Sequence, residues 1–157
     1  MQRQAGFTLI ELLVTLAVLS VLAMMALPVA QTNVQRHREQ ELRGALAEVR
    51  AAIDAYKRAS DEGRIRREAG STGYPPSLEL LVEGVDDQRD PQRRKLYFLR
   101  RIPQDPMHPG ATEAPSASWG LRSYRSPPDD PQEGEDVYDV YSTSPATGLN
   151  GTAYRLW

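Results

Sequence analysis

The chain has 157 residues, 25% of them charged, with a formal net charge of -2; that balance lacks the basic footprint of a nucleic-acid partner. It has no cysteine, so no disulfide supports the fold, which must rest on its core, helped by assembly contacts or an ion. Twelve prolines and eleven glycines are weighted toward the second half, which is therefore expected to be rich in loops.

The apolar stretch from Phe7 to Ala30 contains one ionisable residue, Glu11. A helix rises about 1.5 Å per residue, so roughly 20 such residues cross the ~30 Å hydrocarbon core. The stretch is long enough to span a membrane. Two plain readings are a signal peptide cleaved after Ala30 and a simple one-pass anchor. Both leave Glu11 unexplained. A carboxylate at the centre of a membrane helix costs about 2.5–3.5 kcal/mol on insertion scales, and less near the end, where Glu11 lies. Such an acid calls for a partner. The stretch itself supplies none, so the partner must come from another chain or from a new terminus.

One long helix is predicted from Phe7 to about Ala59. Pro28 lies inside it; it lacks a backbone donor and clashes with the carbonyl of Met24, which predicts a kink or a loosened turn. Beyond Ala30 the composition becomes amphipathic. Val34, Leu42, Leu46, Val49, Ile53 and Tyr56 form a stripe at helical spacing, expected to pack on the rest of the chain. Glu39 with Arg43 and Asp54 with Arg58 are acid-before-base pairs four residues apart, expected on the exposed side. The charges between Arg36 and Glu68 read either as a solvated face or as contacts between subunits. Gly63 is placed to cap the helix end.

Past the helix, Tyr74-Pro75-Pro76 sets an extended entry and Ser77 is a predicted N-cap for a short helix from Leu78 to Glu83, ended by Gly84. Asp86 to Lys95 reads as a charged linker. Lys95 to Pro103 reads as a helical turn or an irregular edge piece. Three strands are predicted at Ser118–Ser123, Val137–Thr143 and Thr152–Trp157. An acidic loop separates the first two, and Asn150-Gly151 supplies turn chemistry before the third. The predicted fold class is α+β: a long N-terminal membrane-spanning helix packed on a small antiparallel β-sheet. Its expected divisions are 1–6, 7–30, 31–62 and 63–157. No nucleophile elbow or phosphate loop is seen, and His37 and His108 read as surface residues, so no enzyme is expected.

Gly6-Phe7-Thr8-Leu9-Ile10-Glu11, followed by the apolar run, resembles the processing site of type IV pilins and type II secretion pseudopilins. The resemblance implies that residues 1–6 are a leader, that prepilin peptidase cuts between Gly6 and Phe7, and that the new amine of Phe7 is methylated. Glu11 matches the glutamate that docks the N-terminal amine of a neighbouring subunit. Two such charges neutralise each other in a low-dielectric bundle, and a mismatched subunit is penalised. The later order Tyr74-Pro75, Pro103 to Pro106 and Trp119-Gly120 is similar to the major pseudopilin, the G subfamily.

The resemblance further implies calcium in the loop after the penultimate strand. Here that loop, Ser142 to Gly151, has no carboxylate. Asp129, Asp130, Glu133, Glu135, Asp136 and Asp139 lie nearby without the spacing of a calcium loop. No cofactor and no metal are therefore expected: the acidic loop reads as solvated, with calcium held by these acids as the less favoured alternative. The implied partners are further copies in a filament, prepilin peptidase, other pseudopilins, the inner-membrane secretion platform and the membrane. The implied location is the bacterial inner membrane, single-pass, with the C-terminal domain periplasmic. Arg36, Arg38 and Arg43 after the run, against Arg3 before it, would point the other way; long following domains translocate largely regardless of such charges. The alternatives are a minor or type IV pilin, and a secreted ligand-binding domain with an ordinary signal peptide, whose mature chain would start at Gln31.

Overall fold

The computed structural model describes residues 8–108, 110 and 114–157, with the backbone alone for residues 25–30. The chain divides into two units, Met1–His37 and Arg38–Trp157. Helix α1, Leu9–Asp61, is 53 residues long and contributes to both. Pro28 removes one rung of the hydrogen-bond ladder, yet α1 continues through it without interruption.

In the unit Arg38–Trp157, the α1 residues Leu42, Leu46, Val49, Ile53 and Tyr56 are buried, with Ala45, Ala52 and Ala59 beside them. Alternating steps of three and four keep these side chains on one face. They pack with Ile65, Leu78, Leu81, Leu99, Trp119, Val137, Val140 and Tyr154 in one core. Val34 departs from the predicted stripe: it is 55% exposed and belongs to the other unit. It stands eight positions before Leu42, outside the three-and-four alternation.

Gly63 ends α1 as the sequence predicts. Its φ is 71°, a left-handed conformation that glycine adopts without a Cβ penalty. The Gly63 N–H donates to the Ser60 carbonyl at 3.0 Å, and the Arg64 N–H to the Ala59 carbonyl at 2.9 Å. Together these bonds form a Schellman cap.

Helix α2 covers Glu79–Glu83. Its N-cap is Leu78, with no side-chain cap bond, so the predicted capping role of Ser77 is not realised. The Ser77 hydroxyl serves the Glu79 carboxylate instead, which is held below the usual range chiefly by the Ser116 hydroxyl, then by its own backbone N–H and by Ser77.

The predicted linker after α2 is a hairpin. Strands β1, Val85–Asp86, and β2, Lys95–Leu96, pair antiparallel with Val85 opposite Leu96. Its loop is tied down by charge: Asp87 accepts from Arg64 Nη2 at 2.6 Å and from the Arg89 N–H at 3.0 Å.

Strands β3, Trp119–Arg122, and β4, Asp139–Ser142, form a second antiparallel pair with Gly120 opposite Tyr141. A Cβ at Gly120 would enter the Tyr141 ring, so this position requires glycine. The third predicted strand is a correction. Thr152–Trp157 makes one bridge, Thr147 to Ala153, and then a 3-10 turn at Tyr154–Leu156. The turn lets Tyr154 enter the core and meet Trp157 edge to face at 5.1 Å. Among the described residues the architecture is α+β, with one long helix and two small antiparallel sheets in place of the single three-stranded sheet expected.

Candidate functional site

Gly6 and Phe7, the predicted cleavage and methylation positions, lie outside the described residues. The site is described from Thr8 onward. Thr8 caps α1: its Oγ1 accepts the Glu11 N–H at 3.3 Å, and its carbonyl accepts the N–H groups of Glu11 and Leu12 at 3.1 and 3.2 Å. Thr8-Leu9-Ile10-Glu11 has the Thr-x-x-Glu spacing of a capping box. Glu11 is thus an acid in the first turn, where the helix dipole favours negative charge. It is exposed, and among the described residues no cation pairs with its carboxylate.

The following side chains are apolar on every side of the helix. From Leu9 to Met24 the large hydrophobic residues are between 54% and 77% exposed. The two hydroxyls among them are satisfied within the helix: Thr15 donates to the Leu12 carbonyl at 3.0 Å and Ser20 to the Leu16 carbonyl at 2.8 Å. Hydroxyls bonded back to their own helix tolerate a hydrocarbon or protein-packed setting. Among the described residues no helix is long and apolar enough to cross a membrane. The described side chains of the apolar run stop at Met24, short of the roughly 20 residues a span requires, while the run in the sequence continues to Ala30.

In the unit Arg38–Trp157, the polar groups that the sequence spreads along the chain converge on structural tasks. Arg50 on α1 donates to Asp139 Oδ1 at 2.7 Å, to the Val140 carbonyl at 3.1 Å and to the Trp157 carbonyl at 2.7 Å. Asp105, within the Pro-Gln-Asp-Pro segment, accepts from the Ser142 hydroxyl at 2.6 Å and the Met107 N–H at 2.8 Å. Burial alone would raise the Asp136 carboxyl. The Thr72 hydroxyl, the Tyr124 N–H and the Ser123 hydroxyl outweigh that and hold it below the usual carboxylate range.

Glu39 is the largest departure from the sequence reading. Its spacing from Arg43 predicts an exposed ion pair. Glu39 is 6% exposed and accepts the Leu149 N–H at 2.8 Å and the Tyr154 hydroxyl at 3.0 Å. The signal was present. Position 39 continues the three-and-four alternation of Leu42, Leu46, Val49, Ile53 and Tyr56 backward by one step, which puts the acid on the buried stripe. Among the described residues no cluster of three or more acids or histidines is placed to hold a metal ion.

Comparison with known proteins bears on both units. Residues 1–27 match the prokaryotic N-terminal methylation motif. The chain is 33% identical over 112 residues to type II secretion system core protein G of Klebsiella pneumoniae, a match covering 68% of this chain and 71% of that protein. It is 32% identical over 108 residues to the core protein G of Pectobacterium carotovorum subsp. carotovorum, covering 66% of this chain and 62% of the relative. A shorter match, 40% identical over 55 residues, joins it to the type IV major alpha-pilin of Moraxella bovis, covering 35% of each. No solved structure matches the chain. The methylation motif and the helix-plus-sheet architecture define the pilin-like class. Within that class, the chain belongs to the type II secretion system core protein G family, the major pseudopilins.

Proposed function

We propose that this chain is a structural subunit of a type II secretion pseudopilus, not an enzyme, and that it assembles through its N-terminal helix. The observation that carries the proposal is the all-round exposure of the apolar side chains from Leu9 to Met24, in a chain whose first 27 residues match the methylation motif. Each large apolar side chain gains about 1.5–3 kcal/mol when it leaves water. A helix apolar on every face cannot be covered by one domain packed on one side. Lipid before assembly, and neighbouring copies after it, would cover it.

On this reading residues 1–6 are the leader and residues 7–30 the membrane segment of a single-pass inner-membrane protein with a periplasmic C-terminal unit. Prepilin peptidase cuts between Gly6 and Phe7, and the amine of Phe7 is methylated. Glu11 then meets the amine of a neighbouring subunit, where charge neutralisation in a low-dielectric bundle sets the register. The other partners are further pseudopilins and the inner-membrane platform.

The intact mass of the mature protein tests the reading. A start at methylated Phe7 supports it; a start at Gln31 overturns it and leaves a secreted domain. Replacing Gly6 with a bulky residue is expected to leave the precursor uncut, since the cleavage pocket would have no room for a side chain.

A further inference from the structure

The family resemblance places calcium in Ser142 to Gly151, within the loop that leaves β4 and runs through residues 143–153. Calcium takes about six to eight oxygen ligands, carboxylates among them, at roughly 2.3–2.6 Å. This loop has no carboxylate of its own, and among the described residues no acidic or histidine cluster stands ready for a metal. The residues present do not fit the ion.

What they do instead can be followed bond by bond. Several of the loop's backbone groups are already engaged. The Gly148 N–H donates to the Thr152 carbonyl at 2.9 Å, and the Gly151 N–H to the Gly148 carbonyl at 2.9 Å. The Thr152 N–H donates to Asn150 Oδ1 at 3.0 Å. The carbonyls of Gly148 and Thr152 thus accept within the loop. At its start the Ser144 N–H donates to Ser142 Oγ at 3.2 Å, and the Ser142 hydroxyl donates to Asp105.

One contact comes from far outside the loop. Glu39, on α1, presents Oε1 to both the Leu149 N–H and the Tyr154 hydroxyl. The two donors approach from the loop tip and from the 3-10 turn that follows it. A site where an N–H and an O–H converge has the polarity of an anion site. The anion is supplied by the protein, 110 positions earlier in the chain. A cation arriving at this oxygen would have to displace both donors.

We propose that Glu39 is a built-in clasp that holds the 143–153 loop against α1, and that the protein keeps this loop shaped with no bound divalent cation. The loop's form is then independent of the calcium concentration around the C-terminal unit. The inference stands on the geometry of Arg38–Trp157 alone and does not need the filament reading.

The test uses the full-length protein in detergent micelles. Its thermal midpoint is measured in millimolar calcium chloride and in excess chelator, alongside limited proteolysis of the 143–153 loop. The expected result is the same midpoint and the same cleavage rate in both. An occupied site would raise the midpoint by several degrees. Glu39→Ala strips the acceptor from one buried and one part-buried donor, and is expected to lower the midpoint by roughly 4 °C or more and to speed cleavage within the loop. Glu39→Gln keeps an oxygen acceptor and should recover part of the loss. Tyr154→Phe removes one donor, and its effect combined with Glu39→Ala should fall short of the sum, because both break the same bond. Calcium protection of the wild type, or unchanged loop cleavage in Glu39→Ala, overturns the proposal. Should Glu39→Ala fail to fold, the wild-type calcium comparison and loop cleavage in Tyr154→Phe still decide it, with calcium protection or unchanged cleavage counting against the clasp.

Discussion

Leu9–Met24 and Leu42–Tyr56 are both apolar parts of α1, yet their large side chains meet opposite surroundings. In the first part they are exposed on every side; in the second, one stripe is buried and the opposite face is polar. A stripe matches the area that one small domain can cover, so the chain satisfies it from within. An all-round apolar surface exceeds that and needs lipid or further copies. The two parts also handle acid differently. Glu39 is closed in by Leu149 and Tyr154. The Glu11 carboxylate has no cationic partner among the described residues, and its backbone N–H is held by Thr8. The N-terminal part is built for other molecules, and the C-terminal unit is built for itself.

If that contrast is right, substitutions in the two parts should differ in kind. The largest effect is expected for Glu11→Gln: filament assembly lost, cleavage and methylation intact, with the C-terminal unit melting as in the wild type. Electron microscopy and intact mass read these separately, and normal filaments would dismiss the docking role. Next, Leu42→Ala should destabilise the C-terminal unit by about 2–5 kcal/mol, as large-to-small changes at fully buried sites do. Leu16→Ala, at an exposed site, should leave that unfolding transition unmoved. Equal losses from the two would erase the distinction between the regions.

Asp136 gives a smaller effect with a defined pH sense. Its folded carboxyl lies below the usual range. The stabilisation it brings is therefore complete above the unfolded value of about 3.9 and is lost as pH falls through the lower folded value. Asp136→Asn should be less stable than wild type by about 1–3 kcal/mol at neutral pH. The gap should narrow in acid below about pH 4, as thermal midpoints across pH would record. The smallest effect is expected for Thr8→Ala. Loss of the cap should cost roughly 0.5–2 kcal/mol of helix stability, seen as faster amide exchange in the first turn, with no change in the C-terminal unit.

Much of this organisation was legible in the residue order. The long helix, its glycine cap at Gly63, most of its buried stripe, the short α2 and two of the strands follow from periodicity and turn chemistry. Three features did not. The hairpin of β1 and β2 was hidden because each strand has two residues, too few to show alternation, and because Asp87 and Arg64 hold the loop through charge. The last segment looked like a strand, since Tyr154 and Leu156 alternate with Arg155 and Trp157. Burying Tyr154 beside Trp157 required a turn instead. The charge of Glu39 points to the solvent face, whereas its position on the stripe points to the core.

Helix length, its apolar extent, the acid at its start and its stopping point depend on residues within a few positions of one another. Their energetics are set by neighbours, so the primary structure alone was enough to settle them. The burial of Glu39 under the loop, the reach of Arg50 to Asp139 and Trp157, and the seat of Asp105 beneath Ser142 join residues far apart in the chain. No local pattern ranks such pairings. They are chosen when the core closes and each buried donor must find an acceptor, and that choice exists only in the folded molecule.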